Sequence, residues 1–281
     1  MDTRTANGIS QQIDPIELGG LQAYFDCSQV PGYGAIAVAG YLSSAGRWER
    51  FGENWRDVLQ EYDVSRLHMA EFESGYGEFQ DWLPTQKKIF MRRLIGVLRQ
   101  TALLGVSVGL LKPDFESIVS RDQRKKVPAY GLCSAHGIGA MMRWVRASGG
   151  NKPIAFVFEK GDLGAGLIDK GIEKARHEST EFNKFILSLD FKPKGEAWGL
   201  EAADFLAYEA AKNLPRRAGL DKSLERRSWL RMVRRVPYIE IYLDAEFLRK
   251  EFPLPVNADK SVSSPAVARH DSFSREDLAP K

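Results

Sequence analysis

The chain has 281 residues, 43% hydrophobic and 27% charged, which is enough globular material to bury one large core without disulfide or metal staples. Its 40 Lys and Arg against 37 Asp and Glu leave a net charge of +3, which permits a polyanionic partner without demanding one. Cys27 and Cys133 are the only cysteines, too few for a disulfide framework or a repeated zinc-ligand spacing, so a reducing, cytoplasmic setting is expected. The first 20 residues are polar and no stretch has the length of a bilayer span, so no membrane association is expected.

In chain order, LQAYFDCS (21–28) and GAIAVAGYLSS (34–44) are apolar runs separated by Pro31, Gly32 and Gly34, the pattern of a strand hairpin. A helix follows, with Trp48, Phe51, Trp55, Val58, Leu59 and Tyr62 at helical spacing, so these aromatics are expected in the core. Pro84 opens another helix with an apolar face through Ile89, Phe90, Leu94, Val97 and Leu98, and ALLGVSVGLL makes a third strand. Helices at 129–147, 166–178 and 199–212 then alternate with strands PIAFVFE (153–159) and KFILSLDF (184–191). The order predicts an α/β fold with a mixed sheet and a helical insertion at about 46–101 between its second and third strands. Residues 1–19 are read as a flexible N-terminus, 20–253 as a single domain and the polar 254–281 as a disordered tail.

Carboxylates fall at telling places in this plan. Asp26 ends the apolar AYF and Glu159 ends FVF, where a charge is expensive unless it is solvated at the strand end, paired or bound to a cation. Glu201 and Asp204 lie three apart on one helix face, with Tyr208 a turn further on, while LHMAEFE brings His68 and Glu71 from the insertion. Taken singly, each is equally a solvated strand end or a helix edge with acids near its positive N-terminus.

Taken in order, YFDCS, LHMAEFE, FVFEKGD and GLEAADFLAYE resemble the domain of unknown function 3800 family, a group similar to the ribonuclease H-like nucleases, over about residues 20 to 250. The family's usual opening is Asp-Glu-Ser; here Asp26 and Ser28 remain and Cys27 replaces the Glu. Glu201 stands where the family's late helix usually has Gln. Cys27 should point away from Asp26, because successive strand side chains alternate faces. The resemblance implies a ribonuclease H-like fold and a divalent-metal-dependent nuclease or phosphodiesterase using Mg²⁺ or Mn²⁺. Two such ions about 4 Å apart stabilise the entering and leaving oxygens of a phosphodiester and activate water, and hard cations take oxygen ligands. It assigns Asp26, Glu159 and Asp204 as principal catalytic ligands and Glu71 and Glu201 as secondary ones. His68 then orients water, acts as general acid or base or accepts a metal, against the plainer reading of a loop histidine bonded to backbone.

A basic block follows the acid-bearing helix: Arg216, Arg217, Lys222, Arg226, Arg227, Arg231, Arg234 and Arg235, against only Asp221 and Glu225. Beside a metal site it would hold a nucleic-acid backbone; by itself it is equally a solvated helix or a protein-contact surface. RDQRKK (121–126) is a smaller basic loop with the same two readings, and Trp229 among the arginines is expected to pack rather than stack on a base. No P-loop or dinucleotide fingerprint is present, Cys27 lacks the partner of a thiol nucleophile, and His136 lies among small helical residues as a packed histidine would. The alternative from another class is a noncatalytic module that keeps the fold and binds nucleic acid or protein; protein partners are not specified by the sequence.

Overall fold

The computed structural model describes residues 2–6, 20–160, 184–193 and 195–253. Its seven strands form one sheet: β1 (Asp2–Ala6), β2 (Leu21–Val30), β3 (Ala35–Ser44), β4 (Leu104–Leu111), β5 (Ile154–Glu159), β6 (Ile186–Lys192) and β7 (Tyr238–Tyr242), in spatial order β1-β7-β4-β3-β2-β5-β6. β3 runs antiparallel to both β2 and β4, whereas β2, β5 and β6 are parallel and β7 is parallel to β4. The hairpin turns through Pro31–Tyr33 and Gly34, whose φ of 61° lies in the left-handed region that glycine adopts without strain. Helices α1 (Ala45–Glu61), α2 (Met69–Ser74) and α3 (Pro84–Thr101) stand between β3 and β4 and form the expected insertion. After β4 come α4 (Lys112–Ile118), α5 (Arg121–Lys126) and α6 (Ala129–Ala147). α7 (Trp198–Arg217) follows β6, α8 (Arg227–Val233) precedes β7, and α9 (Ala245–Glu251) closes the described chain. This is the mixed α/β sheet flanked by helices that the order of elements in the sequence predicts. The predicted helix at 166–178 and the tail from 254 lie outside the described residues.

Burial explains the layering. All ten residues of β3 are buried, so helices must cover both faces of the sheet's centre. On one face Phe25, Val38, Val106, Val108, Phe156 and Phe158 pack with Cys133, Ile138, Met141 and Val145 of α6. On the other, Ala37, Ala39 and Tyr41 meet α7 through Ala202, Phe205, Leu206 and Ala207, and the insertion adds Trp48, Phe51, Trp55, Phe90, Leu94 and Leu98. The α1 aromatics are therefore core, as their spacing predicts. Small residues on β3 and α7 let helix and sheet approach closely. At the start of α7, a Cβ on Gly199 would sit 2.4 Å from the Tyr24 ring, so only glycine fits there.

Two strands go beyond the sequence reading. β7 is a five-residue segment just after Pro237, and its pairing with β4 is a long-range contact that the local pattern does not announce. Residues 2–6, read from sequence as part of a flexible N-terminus, pair antiparallel with β7 from Asp2 opposite Tyr242 to Ala6 opposite Tyr238. Such a pairing covers β7's otherwise open edge, which is a reason for a polar segment to order.

Candidate functional site

Asp26 is 1% exposed, and its Oδ1 accepts the backbone N–H of Cys27 at 2.7 Å. Its neighbour Phe25 packs into the α6-side core and is paired with Phe158 on β5, so the next residues on the two parallel strands, Asp26 and Glu159, both turn to the α7 side. Adjacent strands lie about 4.8 Å apart, which makes these acids lateral neighbours. Asp26 is opposite Ala39 of the α7-side core, while Cys27 packs against the α6-side core, as its place in the strand predicts.

The same sheet face is covered by α7, which brings Glu201 at 1% exposure and Asp204 at 5%. Their burial has a visible cause. Glu201 Oε2 accepts Trp55 Nε1–H at 2.9 Å and the Leu67 N–H at 2.8 Å, and Asp204 Oδ2 accepts the Met69 N–H at 2.7 Å. The segment joining α1 to α2 is thereby pinned on α7 by two carboxylates, with His68 between the two pinned amides. Burial pushes the Glu201 carboxyl up to about 7; the Leu67 and Trp55 donors oppose that rise and the Asp204 charge adds to it. The second oxygen of Glu201, Oε1, is buried and accepts no hydrogen bond among the described residues.

Glu71 is turned toward its own segment. Its Oε1 lies 3.2 Å from His68 Nδ1 and 3.4 Å from Arg66 Nη2. The His68 contact is at ion-pair distance without hydrogen-bond alignment, since Nδ1 makes no geometrically acceptable bond. The acids thus form a strand pair, Asp26 within β2 rather than at its end and Glu159 at the end of β5, and a helix pair, Glu201 and Asp204, on one side of the sheet, with Glu71 and His68 facing each other on the insertion. Among the described residues, no three His, Cys, Asp or Glu side chains are grouped closely enough to hold a metal. The donor set is nevertheless all oxygen and includes a buried carboxylate oxygen with no donor on it, which is the chemistry a hard divalent cation takes.

Much of the basic block faces inward. Arg216 ties its own loop, donating from Nε to the Ser223 carbonyl at 2.6 Å, from Nη2 to the Leu224 carbonyl at 2.6 Å and from Nη1 to Asn213 Oδ1 at 3.1 Å. Arg217, 12% exposed, lies 3.8 Å from Glu240. Arg226 forks onto the fully buried Glu209 at 2.9 and 3.0 Å and reaches Glu73 at 2.7 Å. Burial would lower the pKa of Arg226, but Glu209 and Glu73 prevail and raise it. These three guanidinium groups, expected on a phosphate surface, hold the fold together instead. Lys222, Arg227, Arg234 and Arg235 are exposed and Arg231 is half-buried. Trp229 is buried edge-to-face on Tyr238, and His136 packs edge-to-face on Phe247, both as expected.

Sequence reasoning missed Glu209, the buried partner of Arg226. It predicted α3 but missed its basic stripe, Lys88, Arg92 and Arg99, which recur at helical spacing.

No protein-family model and no curated protein matches the sequence. Among solved structures the chain is similar to one described as Bst-RNase HIII in complex with Mn²⁺, at 16% identity and a TM-score of 0.38. The match covers 76% of this chain and 60% of that one, so the chain spans less than two thirds of that protein's length. At that distance the likeness assigns neither residues nor activity. No helix among the described residues is long and apolar enough to cross a membrane.

Proposed function

We propose that the protein is a divalent-metal-dependent nuclease or phosphodiesterase of the ribonuclease H-like type, acting on nucleic acid. The observation that carries this reading is the placing of buried carboxylates from β2 and α7 on one face of the sheet, next to the strand-end Glu159. Neighbouring carboxylates in a poorly solvated place repel unless a proton or a cation intervenes, and the raised pKa of Glu201 comes chiefly from burial, with a smaller contribution from the Asp204 charge. Asp26, Glu159 and Asp204 would hold Mg²⁺ or Mn²⁺, with Glu201 and Glu71 as outer members. Bound ions of this kind supply activated water and neutralise charge developing on the phosphate oxygens. The residues supply the rest. Asp26 is fixed by its bond to the Cys27 amide and Asp204 by the Met69 amide, and Glu201 would add a further carboxylate beside the cation. In this reading His68, half-buried beside Glu71, would carry a proton to or from the leaving oxygen.

A second reading has its own observation. Because Glu201 and Asp204 bind Trp55, Leu67 and Met69, they already have a structural task, which suits a noncatalytic binding module that keeps the fold. Calorimetric titration of the whole protein with Mg²⁺ and Mn²⁺ separates the two. The enzyme reading expects saturable binding that weakens at least tenfold in Asp26→Asn, together with ion-dependent cleavage of single-stranded or duplex oligonucleotides that the variant lacks. Cleavage that survives Asp26→Asn removes Asp26 from the site. No ion binding with or without oligonucleotide leaves the module.

A further inference from the structure

The seam between α3 and α8 carries a second charged feature, distinct from the sheet-face acids. Two surface hollows of about 330 and 190 Å³ lie along it and share Ile95 and Arg231, so they form one continuous groove. Its walls are two cationic stripes: Lys88, Arg92 and Arg99 on α3, and Arg227, Arg231 and Arg235 at α8 and just beyond it. Within each stripe, side chains four residues apart are spaced by about 6 Å along the helix. The floor is apolar, made by Phe72, Met91 and Ile95.

What distinguishes these cations is their lack of internal counter-charge. Arg93, one residue from Arg92, pairs with Glu61 at 2.7 Å, and Arg226, one residue from Arg227, is forked onto Glu209. None of these six cations is bonded to an acid among the described residues, and a seventh lining cation, Lys87, donates to the Phe72 carbonyl. Among the described residues Glu73 is the one acid lining either hollow, and it is paired with Arg226 at 2.7 Å. Uncompensated guanidinium groups facing each other across a groove repel, and an external polyanion relieves that repulsion. Guanidinium favours phosphate oxygens because its planar donors bind them bidentately.

The groove also leads somewhere. Phe72 and Glu73 of its lining belong to α2, whose first residue, Met69, donates to Asp204 on α7. A six-residue helix is about 9 Å long, so the groove ends one short helix from the candidate acids.

We propose that the α3–α8 groove is a binding track for the phosphate backbone of a nucleic acid, with Arg92, Arg99, Arg231 and Arg235 as its main phosphate contacts and the apolar floor receiving sugars or base faces. It rests on the nucleic-acid part of the reading above and not on the metal-dependent step. Binding in the groove is electrostatic and largely independent of base sequence.

The test is fluorescence-anisotropy titration of labelled mixed-sequence DNA and RNA oligonucleotides with the full chain in EDTA, over a series of salt concentrations, so that cleavage plays no part. Each phosphate contact adds about 0.7 to 0.9 to the log–log salt slope, so Arg92→Gln, Arg99→Gln, Arg231→Gln, Arg235→Gln in one protein should flatten the slope by about 3. Affinity at low salt should fall at least tenfold. A charge-matched variant at exposed positions away from the groove, Arg143→Gln, Lys152→Gln, Arg249→Gln, Lys250→Gln, should bind as the parent does. Because the groove arginines are surface groups outside the fold's ion pairs, unchanged circular dichroism and melting are expected, and the double variant Arg92→Gln, Arg99→Gln, confined to exposed positions, gives the same reading at half the slope change. Undiminished binding or slope in the groove variants overturns the proposal. So does an equal loss in the charge-matched variant, or groove-dependent binding to phosphatidylserine vesicles or polyglutamate as tight as to the oligonucleotides. Absence of ion-dependent cleavage in the parent protein, with groove binding intact, counts against the catalytic reading alone.

Discussion

Glu201 answers why an acid sits on an otherwise apolar helix face: Trp55 and Leu67 both donate to one of its oxygens, and the helix position makes that contact possible. The cost of the arrangement is pH-dependent. Its carboxyl titrates at about 7 in the folded chain against an ordinary value of 4.5, so the stability it contributes as a neutral acid is fully present below about pH 4.5 and is lost as pH rises through about 7. Glu201→Gln keeps an oxygen acceptor for both donors and cannot ionise. In EDTA, the variant should match the parent near pH 4.5 and exceed it at pH 8 by up to about 3 kcal/mol, at 1.36 kcal/mol per pKa unit; urea denaturation at the two pH values measures the difference. A variant less stable than the parent at pH 8 would show that the ionised carboxylate stabilises the protein. Glu209 presents the opposite case, a fully buried carboxylate matched by a forked arginine and by Ser228 Oγ at 2.8 Å. Arg226→Met should destabilise by about 3 to 5 kcal/mol, because it strands a buried charge. The double variant with Glu209→Gln should recover part of that loss, a coupling that a thermodynamic cycle reads directly.

Between elements, the decisive contact is the docking of the α1–α2 connection on α7. Asp204→Asn keeps an acceptor for the Met69 amide and removes the charge, so it should leave thermal stability within about 0.5 kcal/mol of the parent while abolishing ion-dependent cleavage if Asp204 holds the metal. Asp204→Ala leaves that buried amide without its acceptor and should cost a further 1 to 3 kcal/mol or about that. Full ion-dependent activity in a folded Asp204→Asn protein removes α7 from the catalytic site. The sequence carried α7 itself because its apolar stripe and small residues are periodic, and it carried Asp26 and Glu159 because each ends an apolar run. It could not carry the partners. Whether Asp204 receives an amide or a cation depends on where residues 67–69 dock, 135 positions away in sequence. Arg226 illustrates the same limit, since its charge is legible in the block but its burial against Glu209 and Glu73 depends on α8 folding back over α7. β7 was hidden for a similar reason: five residues between a basic segment and an acidic turn become a strand because β4 offers them a paired edge.

At the scale of the molecule, the sheet divides the protein into two cores with different duties. The α6 side is built from Phe25, Phe156, Phe158 and Met141 and presents none of the candidate acids, whereas the α7 side holds Asp26, Glu201 and Asp204 and supports α3, one wall of the basic groove. Two cavity-creating substitutions separate these duties, because Met141 and Phe205 are both fully buried and lie on opposite faces. Met141→Ala should cost about 2 to 5 kcal/mol and Phe205→Ala about 3 to 5 kcal/mol. Their effects on ligands should differ. Phe205 is one position from Asp204 on the helix that carries the acids, so relaxation around its cavity should weaken ion binding per folded molecule severalfold, whereas Met141→Ala should leave it within error of the parent. Thermal unfolding and Mn²⁺ titration of the two variants, both measured well below their melting temperatures, provide the comparison. If Met141→Ala weakens ion binding as much as Phe205→Ala does, the cation is not held on the α7 face, and the carboxylates there belong to the docking of the insertion alone.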